Sequence, residues 1–191
     1  MNLDHVTTWD LLARSGFPRS TSGCKQFQRA WHFTRDGALV VDGDPGTKTR
    51  KALIFSLRRR ALGLGDLSAN FSFAEFACKC GGRYSACRRV LATWELLHAL
   101  EVYRAEVGGP VTIISGYRCP QHNATIPGAA TASQHVTGLG VDVRGQLTVG
   151  QARKLGLFSG IGYGSRSGKV THLDVRPGSR SAPATWAYAG W

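Results

Sequence analysis

No stretch of the 191-residue chain approaches the ~20 consecutive apolar residues that a membrane-spanning helix needs, so insertion into a bilayer is not expected. The N-terminal stretch MNLDHVTTWDLLARSGF has no cationic start, and Asp4 and Asp10 interrupt its apolar residues. It does not read as a secretory signal, and the expectation is a soluble protein made in the cytoplasm without an export signal of its own. Carboxylates are scarce, with 12 Asp+Glu against 24 Lys+Arg and a formal net charge of +12. Such an excess fits a polyanionic partner: nucleic acid, an anionic membrane surface or an acidic wall polymer. No zinc finger or aromatic-interleaved basic face accompanies the cations, which leaves specific nucleic-acid binding unsupported. The chain is nevertheless 42% hydrophobic and only 19% charged, enough to build a core and unlike a disordered segment. Its length suits one generous domain or two small ones.

The acids are also unevenly placed. From Val107 to Trp191 only Asp142 and Asp174 remain, against eight Lys+Arg. Carboxylates that few have no general solvating role, so each invites a specific explanation.

The first sixty residues read as a small helical unit. Trp9, Leu11 and Leu12 open an apolar patch, and Phe27, Ala30, Trp31 and Phe33 recur at roughly helical spacing after the turn-forming 20–23. The loop from Gly37 carries the turn dipeptides Asp42-Gly43 and Pro45-Gly46, after which Thr47 can cap a helix through Leu53 and Leu57. Arg58-Arg59-Arg60 suits the solvated end of that helix, where cations complement the dipole. The Gly- and Ser-containing stretch that follows reads as a linker.

Ser72 and Glu75 have capping-box spacing, which starts a helix and gives Glu75 a local task. Residues 91–107 read as a long amphipathic helix containing His98 and closed by Gly108-Gly109-Pro110. Residues 111–115 read as a β-branched strand and 139–144, 161–164 and 170–176 as three more, with a helix over 148–157 between the second and third.

Two histidines and an aspartate suggest a metal. His135 stands seven residues before Asp142, which lies in a strand, and His172 lies in another. Zinc takes imidazole and carboxylate well, and a catalytic site uses three such ligands and keeps a fourth position open. Strand alternation turns Asp142 away from Val141 and Val143, and puts His172 and Asp174 on one face. Each carboxylate thus sits among apolar neighbours and needs compensation by a metal or a cation. Asp174 could accept a proton in catalysis or orient His172.

Four motifs in order, SGYRCPQHN (115–123), SQHVTGLGVDV (133–143), GIGYG (160–164) and VTHLDVR (170–176), resemble the zinc D-alanyl-D-alanine carboxypeptidase family. This is a branch of the hedgehog-like zinc peptidases that also contains phage endopeptidases. The resemblance covers roughly 70–176 and implies one catalytic Zn²⁺ held by His135, Asp142 and His172, with Arg118 facing the substrate or the developing oxyanion. Ser133, in the second motif, is a further candidate for substrate binding. Several relatives carry an acidic general base three residues before the last zinc histidine. Lys169 stands there in this chain, which leaves Asp174 as the candidate and Glu75 as a remote alternative. The strings KQFQRAW and LVVDGDPGTKTRKAL, through Phe27, Gln28, Val41, Asp42, Gly43, Gly46, Thr49, Ala52 and Leu53, resemble the small helical peptidoglycan-binding domain found beside wall hydrolases.

Cys78, Cys80, Cys87 and Cys119 admit two disulfides in three connectivities, a four-thiolate metal site or reduced thiols; Cys24 stands alone. A cross-link or a metal is favoured, since similar clusters occur in resembling lysins.

The expected fold is α+β, a small, largely antiparallel sheet with helices preceded by a small all-α domain. The expected division is a peptidoglycan-binding domain over 1–62, a linker over 63–70 and a zinc peptidase domain over 71–191. The expected activity is zinc-dependent cleavage of stem-peptide or D-Ala cross-link bonds in bacterial peptidoglycan, as a monomeric bacteriophage endolysin causing host lysis. The alternatives are a bacterial D-Ala-D-Ala carboxypeptidase and a non-catalytic, zinc-stabilised wall-binding module.

Overall fold

The computed structural model describes residues 3–31 and 39–189. Gly37 and Phe33, the latter expected at helical spacing after Trp31, lie outside the described residues.

Three helices come first. In α1 (Thr8–Arg14) the Thr7 hydroxyl accepts the Asp10 N–H, and in α2 (Thr21–Ala30) Ser20 does the same for Gly23. The third, α3 (Thr47–Ala61), starts one position earlier than expected: Gly46 is the N-cap and Thr47 the first helical residue. No side chain caps this helix, and Gln28 and Thr49 organise the turn before it. Gln28 Nε2 donates to Asp42 Oδ1 (2.8 Å), the Asp44 carbonyl (3.1 Å) and Thr49 Oγ1 (3.1 Å), while its Oε1 accepts from the Gly43 N–H (2.9 Å). The residues of the FQ…DG…T pattern therefore meet in one hydrogen-bonded turn. Arg58–Arg60 occupy the last turn of α3, as expected.

The stretch 63–70 is an ordered connection. Leu67 and Asp66 are buried, the Arg59 guanidinium donates to the carbonyls of Gly65 and Ala69, and Ser68 and Asn70 bind Glu101. Phe73 closes the junction, its ring packing 5.2 Å from Phe17 and 5.6 Å from Phe27, centroid to centroid. One hydrophobic cluster runs from Leu3 to Val175.

Helix α4 (Phe73–Phe76) carries the expected capping box, with the Ser72 N–H and hydroxyl both donating to Glu75 Oε2. Helix α5 is Trp94–Val107, shorter at its start than expected because Thr93 caps it. Strand β1 (Ile113–Ser115) leads to α6 (Pro120–Asn123) and α7 (Gln134–Thr137). Then follow β2 (Gly140–Val143), α8 (Val149–Lys154, capped by Thr148), β3 (Gly160–Gly164) and β4 (Val170–Asp174). A fifth strand, β5 (Ala184–Tyr188), was not expected.

The sheet order is β1-β2-β4-β3-β5. The fold is α+β, but the sheet is mixed rather than largely antiparallel, because β5 joins β3 in parallel while the other three pairings are antiparallel. The reason is topological. β4 ends at Asp174, opposite Gly160 at the start of β3, so a short connection past β3 enters β5 at that same end. Among the described residues, no helix is long and apolar enough to cross a membrane.

Candidate metal centre

Strand pairing builds the site. Asp142 on β2 stands directly across from His172 on β4. His135 comes from α7, whose left-handed Gly138 terminus turns the chain straight into β2. One nitrogen from each histidine points at the same oxygen, Asp142 Oδ1: His172 Nδ1 at 2.9 Å and His135 Nε2 at 3.1 Å. Both imidazoles are buried, while Asp142 is partly open to solvent. The three donor atoms lie within 4.8 Å of one another.

The hydrogen bonds on the far edges of the rings fix the protons. His135 Nδ1 lies 2.7 Å from the Gly116 carbonyl, which can only accept, so that nitrogen carries the hydrogen. His172 Nε2 lies 3.1 Å from Asp174 Oδ2. Burial pushes the Asp174 carboxyl up, but the Arg176 guanidinium and His172 outweigh it and hold it down at about 2, so it too is an acceptor. Each neutral ring therefore presents a lone pair to a carboxylate oxygen. Three acceptors facing one another repel, and the arrangement is relieved by a cation among them or by protonating the rings. The charge shifts agree: burial lowers His172, yet Asp142 and Asp174 outweigh it and raise its pKa. Burial likewise raises Asp142, yet the two histidines hold it well below the usual carboxylate range. A His₂Asp donor set with every outer nitrogen anchored fits a three-ligand zinc site.

The centre opens on a cavity of about 740 Å³. Arg118 and Ser133 both line it. Arg118 is held by Ser115 Oγ (Nε donating, 2.9 Å) and pairs with Asp142 Oδ2. Asp174 is brought to His172 but not to the cavity. It is completely buried on the opposite ring edge and bound by the Arg176 backbone N–H (3.2 Å) and Nε (2.7 Å). Gly160 makes room for it, since a Cβ there would stand 2.3 Å from Asp174 Oδ2. Glu75 is spent on its helix cap, and Lys169 donates to the Gln146 carbonyl (2.9 Å), away from the cavity. Among the described residues, Asp142 is the only carboxylate lining the cavity.

Three residues escaped the sequence reading. Trp186 on β5 packs 5.4 Å from the His172 ring, centroid to centroid, and the Arg176 guanidinium lies over it at 5.2 Å. Tyr188 completes this aromatic wall at 6.3 Å. Arg176 was legible, since strand alternation puts it on the face of His172 and Asp174. The alternating aromatics of ATWAY were the available signal for β5.

A family model described as Peptidase M15 matches residues 69–174, the segment that contains all three donors. No curated protein matches the chain.

Proposed function

The chain belongs to the peptidase M15 family, whose members are zinc-dependent, and on that premise we propose that it hydrolyses peptide bonds in the stem peptides or D-Ala cross-links of bacterial peptidoglycan. The observation that carries this reading is the convergence of His135, Asp142 and His172 at the floor of an open cavity walled by Arg118 and Trp186. Zinc bound there supplies a Lewis acid that polarises a carbonyl and acidifies water. The chain does the rest. Arg118 offers its guanidinium to a substrate carboxylate or to charge developing on the scissile oxygen. Ser133, on the cavity wall, offers a hydroxyl to the peptide. Gly116 and Asp174 fix which nitrogen each histidine presents. We assign Asp174 the orienting role of the two open to it, because both its oxygens are engaged away from the cavity.

Residues 1–62 act, in this proposal, as a wall-binding domain, supported by the Gln28-centred turn that unites the motif residues. The charge of +12 favours retention on an anionic wall. The whole is a monomeric endolysin, delivered to the host wall at lysis.

The test is digestion of purified peptidoglycan, with mass analysis of the released muropeptides. The parent chain should release peptides with new termini, and both a chelator and His135→Ala should abolish release. Undiminished digestion by His135→Ala would overturn the metal assignment. Intact muropeptides from an active, zinc-loaded preparation would overturn the substrate.

A further inference from the structure

We propose that Cys78, Cys80, Cys87 and Cys119 form a structural tetrathiolate zinc centre, separate from the His/Asp site, that fixes the loop bearing one wall of the cavity. This inference does not depend on the peptidase reading.

The four sulfurs all lie within 4.8 Å of one another, and three of the four residues are buried. A zinc ion with ~2.3 Å arms to four sulfurs spaces them about 3.8 Å apart along every edge of a tetrahedron. Disulfides would instead bring sulfurs together in pairs at about 2.05 Å and set no common focus for the four. The observed cluster is mutual, all four sulfurs falling within 4.8 Å of one another, and all four are free thiols.

Three of the sulfurs accept backbone N–H groups. Cys119 N–H donates to Cys78 Sγ (3.3 Å), Arg89 N–H to Cys87 Sγ (3.4 Å) and His122 N–H to Cys119 Sγ (3.4 Å). Such bonds favour sulfur that carries negative charge, as metal-bound thiolate does. Binding converts Zn²⁺ and four thiols into a centre of net charge −2 and releases four protons. The loop supplies the compensation: Lys79, Arg83, Arg88 and Arg89 are exposed around the cluster, with no carboxylate between Glu75 and Glu95.

The loop also needs a fastening. Residues 77–93 contain no helix or strand, and their cysteines pack with Tyr117 and Cys119 into a cluster apart from the main core. A structureless segment of that length inside a compact fold is held by something other than backbone pairing. Its far anchor, Cys119, directly follows Arg118, and Lys79 on the loop lines the cavity. The metal therefore ties the cavity wall to the strand-to-helix turn that presents Arg118.

The experiment uses the full chain carrying His135→Ala and His172→Ala, which removes the other donor set. Elemental mass spectrometry should find one zinc per chain, and zinc-edge X-ray absorption should show four sulfur neighbours at about 2.3 Å. In the parent chain, a mercurial thiol reagent should release one zinc to a coloured indicator, a measurement that holds even if the variant does not fold. The denatured, metal-stripped chain should titrate as five thiols. No zinc released by the mercurial, nitrogen or oxygen neighbours in the variant, iron in place of zinc, or a chain four hydrogens light from two disulfides would each overturn the proposal. Failure of the peptidase reading would show in digestion alone and leave these readouts unchanged.

Discussion

Replacing Asp174 by asparagine separates orienting His172 from carrying protons. The side chain is completely buried, with Oδ2 facing His172 Nε2 at 3.1 Å and Oδ1 receiving Arg176 Nε at 2.7 Å. Asparagine preserves shape and one acceptor oxygen, but its NH₂ must face either the imidazole N–H or the guanidinium, donor against donor. Loss of an anchoring partner of a metal-binding histidine costs about 10–100-fold in metal affinity, or roughly 1.4–2.8 kcal/mol. Breaking the pair with Arg176 also weakens the fold. The Arg176 side chain is 34% exposed, so water recovers part of its charge and the loss falls toward the low end of the ~3–5 kcal/mol seen when a buried pair is broken. The assay is competition for zinc against a chromophoric chelator, with a thermal melt alongside and peptide hydrolysis at limiting and at saturating zinc. Weaker zinc binding, with activity largely restored at saturation, is the expected result. Unchanged affinity together with a loss of about 100-fold or more in kcat at saturating zinc, the size of a general-base contribution, would refute the orienting role.

Gly160→Ala should reproduce the Asp174→Asn loss of zinc affinity without altering any polar group, because the new Cβ would stand 2.3 Å from Asp174 Oδ2; parent-like affinity would show that the carboxylate's position does not matter. Trp186→Ala removes the ring beside His172 and the platform under Arg176, and should raise KM for stem peptides more than it lowers kcat, as steady-state kinetics would show; an unchanged KM counts against β5 as a substrate wall. Acid should weaken the metal-free fold through Asp174. Its pKa of about 2 lies below its ordinary value of 3.8, so it contributes roughly 2 kcal/mol above about pH 4, and this is lost as the pH falls through 2. Denaturant titrations from neutral to acid pH should show that decline in the parent chain and a shallower one in Asp174→Asn.

Much of the site was legible because it is local. His172, Asp174 and Arg176 share a strand face by period two, and the seven-residue step from His135 to Asp142 covers the rest of one short helix, a glycine turn and the start of a strand. The four expected strands were found for the same reason, each being a short run bounded by turn residues. What was not legible is non-local. The parallel pairing of β5 with β3 depends on which end of β4 the chain leaves, and nothing within 177–183 encodes that. Trp186 and Tyr188 therefore carry no assignment from sequence and stand as a cavity wall in the fold.

The two carboxylates of the acid-poor half show how similar residues acquire opposite tasks. Both alternate with apolar neighbours and so looked alike as sequence. Asp174 has an internal counterion two residues away, and with Arg176 and the His172 N–H around it, its negative charge is compensated and complete burial is tolerable. Asp142 faces two imidazole lone pairs, and Arg118 reaches only its other oxygen. With both rings neutral its charge is uncompensated on the side of the histidines, and all three residues line the cavity. The carboxylate satisfied by protein suits the proposed task of holding His172 in place. The one left unsatisfied by protein is the one whose surroundings suit a cation, and this difference of partners is what favours Asp142 over Asp174 for the proposed ligand role.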